Sequence, residues 1–306
     1  MISHVGEIAA SVTAVSWTIG AMVFEKATRR AGVIAVNTLK VAFGALYLAI
    51  LAGVAQGSLF PQGLSGHTWF WMSSSGFVGF VVGDYFLFTA YRLIGARLGM
   101  LMMSASVPLT AIASYFLFGE ALGSLAVVGM MATMGGILIT VQAGSLPREN
   151  SQKAGHGEVL VSKGYRKGVL FGLLSAVAMA GGTLLTKIGA VGVEPIAATQ
   201  IRILAALVGF LLVAAISGQL GQIKSAVQNP ASLGLIALGS IFGPFIGVGC
   251  LLFALQHAPA GIVSTIVSLT PVLIIPPSVL LLRRRVHALE VVGACIAVAG
   301  VALLFL

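Results

Sequence analysis

Long apolar runs separated by short polar or glycine-containing connections fill the chain, and the runs approach the roughly 20 residues that an α-helix needs to cross hydrocarbon. Ten can be marked, at 6–25, 33–55, 69–92, 97–118, 121–143, 168–190, 195–218, 231–256, 260–282 and 286–306. They are continuously apolar, where a barrel strand would alternate over about ten residues, so spanning helices are predicted. One stretch departs from the pattern. Residues 144–167 carry Pro147, Arg148, Glu149, Lys153, Glu158, Lys163, Arg166 and Lys167, and read as a polar linker between a first unit at 1–143 and a second at 168–306.

The two units are related. The stretch from Gly83 to Gly136 recurs from Gly247 to Gly300: Val127, Val128, Gly129 and Gly136 fall on Val291, Val292, Gly293 and Gly300 at one offset, and Pro108 matches Pro271 with a one-residue slip. With five spans in each unit, an odd number, the second repeat must enter the membrane in the opposite sense to the first. The predicted fold is therefore an all-α integral membrane protein of two inverted five-helix repeats, an arrangement found in many secondary transporters.

Composition agrees with a bilayer environment: 58% of residues are hydrophobic, only 8% are charged, and the mean hydropathy is +1.06. A formal charge of +9 would suggest nucleic acid in a soluble protein, but here the basic residues sit in connections between apolar runs, so it reads as a topology signal and nucleic acid is not an expected partner. Of the 17 lysines and arginines, 14 lie in the connections 1–2, 3–4, 5–6, 7–8 and 9–10, among them Lys26, Arg29, Arg30, Arg92, Arg97, Lys224, Arg283, Arg284 and Arg285. The count places these odd connections in the cytoplasm and both termini outside. Cys250 and Cys295 both lie in apolar runs, and no metal or cofactor motif is present. The first span follows a short lead without a basic region, so it is expected to stay in the protein.

Candidate chemistry is sparse. Asp84 is the sole aspartate and lies within the third span, where a carboxylate costs at least about 2.5–3.5 kcal/mol and must face a cavity or a partner. Its readings are a proton or ammonium site, or a helix-packing hydrogen bond beside Gly83. Lys40 and Arg202 occupy equivalent places early in spans two and seven. They can snorkel to the interface, pair structurally, or clamp a carboxylate or phosphate. Trp17 and Tyr85 are the aromatic residues chosen as cavity lining, with Tyr85 and Phe88 one turn apart; packing or interface anchoring is expected for Tyr91. Met103 and Ser106 precede Pro108, and Ser268 and Thr270 precede Pro271. Each proline frees a carbonyl one turn back, so bent helices with a permissive pocket or a gate nearby are expected there. Glu120 is expected to interact with the N-terminal end of the fifth helix. The spaced pairs Gly129/Gly136 and Gly293/Gly300 allow close helix approach and a homodimer contact through the fifth helices.

Two five-span repeats, the proline in each fourth span, the glycines ending each fifth, Phe118-Gly119-Glu120 between spans four and five, Trp17, and the basic residues of spans two and seven together resemble the EamA family of the drug/metabolite transporter superfamily. The resemblance covers nearly the whole chain. It implies a central cavity among the first, third and fourth helices of each repeat, small-solute substrates and export. Relatives are commonly described with cytoplasmic termini, opposite to the charge count, and Arg284 stands where the first repeat has Glu120.

The leading expectation is thus a secondary transporter of the bacterial inner membrane, exporting small metabolites such as amino acids, aromatic ones included, by alternating access. Alternatives on the same fold are a multidrug exporter, or a flippase for a lipid-linked precursor in which Lys40 and Arg202 hold a phosphate. An intramembrane enzyme is not expected. An aspartyl dyad needs a second aspartate, and no histidine lies clearly within a span.

Overall fold

The computed structural model describes residues 4–121, 123–145, 157–280 and 287–304. Among these, the expected spans appear as helices α1 (Val5–Ala31), α2 (Val33–Gln56), α3 (Gly66–Ile94), α4 (Ala96–Phe118), α5 (Ser124–Ser145), α6 (Gly157–Gly189), α7 (Pro195–Ile216), α8 (Pro230–His257), α9 (Ile262–Leu280) and α10 (Ala288–Leu303). The first nine contain stretches long and apolar enough to cross a bilayer; α10 is shorter over its described length. Arg283, Arg284, Arg285, Arg148, Glu149 and Lys153 lie outside the described residues.

Local chemistry sets the helix ends. Single glycines separate α1 from α2 and α3 from α4: Gly32 at φ +87° and Gly95 at φ +86°, each donating its N–H back to the preceding helix. A side chain is strained at such angles, so the two sharp turns depend on glycine. The Ser65 hydroxyl accepts from Thr68 N–H ahead of α3, and the Asn229 side chain accepts from Ser232 N–H ahead of α8, equivalent caps in the two repeats. α6 begins at Gly157, well before its apolar run, because Glu158, Lys163, Arg166 and Lys167 continue the helix beyond hydrocarbon thickness. A short helix at Leu220–Gln228, not foreseen, joins α7 to α8; it buries Ala226, and its Gln222 lies against Gly32.

Each repeat places its first helix on the other. α1 packs on α8 and α9, and α6 packs on α3 and α4, while equivalent helices meet in the pairs α2–α7 and α5–α10. The exchange rests on small residues at equivalent positions. A Cβ on Gly182 of α6 would come within 2.8 Å of the Gly79 Cα, and one on Gly20 of α1 within 3.3 Å of the Gly243 nitrogen. Hydroxyls tie the same contacts: Ser16 Oγ donates to the Phe242 carbonyl at 2.7 Å, and Ser75 Oγ to the Gly182 carbonyl at 2.7 Å. Without water, side chains of this kind satisfy backbone groups that irregular winding leaves open.

That irregular winding is the main feature absent from the sequence reading. α3 runs as π-helix over Phe77–Asp84, and α8 does so over Ile241–Gly247, at matching places in the two repeats. The α-helical pattern is interrupted ahead of both prolines. α4 breaks at Ser104–Ala105, one turn ahead of Pro108; in α9 the Thr270 hydroxyl donates at 2.6 Å to the Val267 carbonyl that Pro271 leaves free. Pro276 and Pro277 accompany a further break at Ile274.

The glycine faces of α5 and α10 meet each other within one chain. A Cβ on Gly136 would lie 2.4 Å from both the Ala297 nitrogen and the Gly293 oxygen, and one on Gly300 would lie 2.4 Å from the Thr133 nitrogen. This uses the faces expected to make a homodimer, so a dimer through the fifth helices would need other surfaces.

Candidate functional site

The π-segment of α3 ends at Asp84, whose carboxylate forms an ion pair with Lys40 of α2, both side chains largely buried. Lys40 Nζ also lies 4.6 Å from the centre of the Phe88 ring, one turn beyond Asp84. Carboxylate and ring face thus flank one ammonium, which satisfies its charge without water. The side chain at Gly83's Cβ position would touch Met179 of α6, so Asp84 sits where three helices of both repeats approach.

Beyond this pair, toward the Gly32 and Gly95 turns, the path is filled. Phe88 packs at 5.3 Å from both Phe24 and Tyr91, and Tyr91 Oη donates to Met100 Sδ. Glu25, buried on α1, accepts from Ala96 N–H at the start of α4 at 2.8 Å and pairs with Arg29 at 3.1 Å. Arg97 at the start of α4 forms a buried ion pair with Glu290 of α10. Aromatic packing and charge ties therefore hold α1, α3, α4 and α10 together at this end.

The opposite end differs. Tyr91 is 2% exposed and its repeat equivalent Leu255 is 43% exposed; Leu98 is 6% exposed and its equivalent Ile262 is 44% exposed. Equivalent positions thus differ in burial, Tyr91 and Leu98 packed inside and Leu255 and Ile262 on the outer surface of the helices. Lys187, equivalent to Glu25, pairs with Glu120 and covers the Phe118 ring at 4.8 Å, and both charged side chains remain exposed. Glu120 therefore engages α6, where the sequence suggested the start of the fifth helix.

Arg202 of α7, seven residues into its helix, approaches from the side opposite to the Gly32 and Gly95 turns. Its guanidinium carbon lies 4.7 Å from the Phe80 ring centre, one turn before Asp84, and Gly79 leaves the space beside Nη2 clear of a side chain. Arg202 makes no ion pair among the described residues, and its Nε has no hydrogen-bond partner.

The remaining expected residues are dispersed. Trp17 lies across Gly247 at the end of the second π-segment. Tyr85 is exposed and lines a cavity of about 350 Å³ with Thr89, Arg92 and Gln222. On an α-helix Phe88, four residues after Asp84, shares its face better than Tyr85 does. Met103 packs against the aromatic plug. The Ser268 hydroxyl donates within its own helix to the Thr265 carbonyl, and the Ser106 carbonyl accepts from Thr110. Of the two fates expected for Tyr91, packing and interface anchoring, the structure shows packing, since Gly99 leaves room for its ring in the plug. A larger groove of about 540 Å³ between α1 and α8 is mostly apolar, lined by Ile8, Val12, Val15, Phe242 and Ile246, with Glu7 its single ionisable residue. Sequence reasoning did not single out Phe80 or the Arg97–Glu290 pair. The glycine-rich string Gly79-Phe80-Val81-Val82-Gly83-Asp84 was the available signal of close approach at α3.

The model of the EamA-like transporter family matches residues 4–142 and again 166–306. A Synechocystis sp. protein described as an uncharacterized transporter is 26% identical over 261 residues, covering 82% of this chain and 75% of its own. A solved crystal structure shares the fold with a TM-score of 0.56 at 17% identity, covering 97% of this chain and 95% of the other.

Proposed function

The chain belongs to the EamA-like transporter family, a multi-pass membrane transporter and not an enzyme, and from this premise we propose that it exports small amphipathic metabolites, amino acids first among them. It would do so across the bacterial inner membrane by alternating access. The observation that carries the reading is the buried Lys40–Asp84 pair with Arg202 nearby, set at a π-wound segment between the repeats. Ionisable groups at this depth are expensive and mark solute pathways by default, and discontinuous helices near the midplane of inverted repeats supply flexible binding surfaces. The unequal burial of equivalent positions supports alternating access, since rocking that exchanges the conformations of the repeats would close one end and open the other. Phe80 and Phe88 suit a solute with an apolar or aromatic body.

Counterflow in proteoliposomes tests the proposal. A labelled amino-acid panel with aromatic members is expected to exchange through the wild-type protein. Absence of exchange for every member would overturn the amino-acid reading.

A further inference from the structure

Among the described residues, one cation set within a span lacks an ion-pair partner. Glu25 pairs with Arg29, Asp84 with Lys40, Glu290 with Arg97 and Glu120 with Lys187, whereas Arg202 pairs with none of these carboxylates. Arg92, by contrast, is exposed near a helix end. Arg202 lies seven residues into α7, about 10 Å along the helix at the usual rise. A guanidinium stays charged at any pH the protein meets. An uncompensated cation at this depth is costly, and the face of Phe80 offsets only part of the cost.

The donors of Arg202 are also incompletely used. The Phe80 ring covers the guanidinium at 4.7 Å, Nε lacks a partner, and Gly79, on which Gly182 packs, puts no side chain beside Nη2. Asp84 is near enough to attract Arg202 but is already engaged by Lys40. Two cations and one carboxylate leave a single positive charge, which one monoanionic oxyanion neutralises. A carboxylate matches the planar fork of donors. Arg202 and Lys40 stand seven residues into α7 and α2, which enter from opposite sides, so a solute entering from the α7 side would meet the unpaired cation first.

We propose that Arg202 is the docking point for the carboxylate of the transported solute, with Asp84 as a resident counterion that keeps Lys40 neutralised while Arg202 is vacant. This rests on the transport reading above and narrows it to solutes bearing a carboxylate, zwitterionic or anionic, with amines lacking an acid group excluded.

The test uses purified full-length protein in detergent and three probes of similar shape: benzoate, benzamide and benzylamine. Benzoate is expected to raise the melting temperature of the wild type, and the two others to leave it unchanged. In Arg202→Gln the half-saturating benzoate concentration should rise about tenfold or more, as for loss of one charged hydrogen-bonded contact, and Arg202→Lys should recover part of the loss. The proposal is overturned by equal stabilisation with benzamide, by no effect of benzoate on the wild type, or by an undiminished effect in Arg202→Gln. Stabilisation by phosphatidylglycerol and not by benzoate would also overturn it, assigning the charge to a lipid headgroup. The wild-type comparison alone decides the matter if Arg202→Gln fails to fold. Counterflow of benzylamine without carboxylate exchange would leave transport standing and remove the carboxylate site. Benzoate binding without amino-acid counterflow would do the reverse.

Discussion

Asp84→Asn is expected to abolish transport and to lower the thermal stability of the protein by more than any other single polar substitution in the first repeat. The change keeps the shape of the side chain but leaves Lys40 facing a neutral amide, with Arg202 nearby and no carboxylate between them. Removing one partner of a buried pair costs about 3–5 kcal/mol, because the remaining charge keeps its desolvation penalty without the attraction that offset it. The second variant to compare is Lys40→Met with Asp84→Asn. It removes both charges, and the methionine still covers Phe88, so most of the lost stability should return. Transport should not return, since the charged centre is gone. Melting curves and counterflow on the wild type, both single variants and the double variant form a cycle that isolates the pair. Additive losses of stability would show that Lys40 and Asp84 do not act as a pair.

Gly136→Ala and Gly135→Ala should have opposite consequences although the residues are neighbours. At Gly136 the new methyl would press on the backbone of α10, 2.4 Å from the Ala297 nitrogen and the Gly293 oxygen, and backbone cannot turn aside as a side chain can. The helices of the α5–α10 pair must separate, and overpacking of this kind costs about 1–3 kcal/mol or more. At Gly135 nothing lies within 4 Å, so alanine removes only the helix penalty of glycine, about 0.8–1 kcal/mol in an aqueous helix. Melting temperature in detergent should therefore fall for the first variant and hold or rise for the second. Equal behaviour would mean that the two fifth helices do not pack through Gly136. Arg97 ties α10 to the start of α4, so the loosened pair should also weaken closure at the Tyr91 end.

These features were unequally legible in the sequence. Pro108 and Pro271 announced breaks in the α-helical pattern because proline lacks a donor wherever it falls, and the spans themselves followed from hydrocarbon thickness. Asp84, Lys40 and Arg202 stood out because charge is rare in such runs, although the sequence did not say which cation Asp84 would hold. That choice depends on α2 and α3 closing together while α7 approaches from the other repeat, and both contacts are non-local. The π-winding was hidden as well, since Gly79, Gly83, Gly243 and Gly247 are equally compatible with an α-helix and it is packing of α6 and α1 onto them that the structure adds. Tyr85 and Phe88 were read as sharing a face at a spacing of three, while the register that reaches Lys40 is the spacing of four from Asp84 to Phe88. Glycines 129, 136, 293 and 300 correctly signalled close approach, but a stripe of small residues does not tell an internal partner from a second copy.

Accessibility at two equivalent positions tests the central proposal, that one pathway between inverted repeats is shut at its Tyr91 end and open at its Leu255 end. In a background with Cys250 and Cys295 replaced by alanine, Tyr91→Cys and Leu255→Cys would each be treated in membranes with a charged, water-soluble thiol reagent. Only a water-exposed thiol forms the reactive thiolate, so a cysteine facing lipid does not score. Leu255→Cys is expected to react readily and Tyr91→Cys at least about tenfold more slowly, the reagent reaching Leu255→Cys from the side opposite the Gly32 and Gly95 turns. Equal labelling of the two, or faster labelling at position 91, would contradict the account.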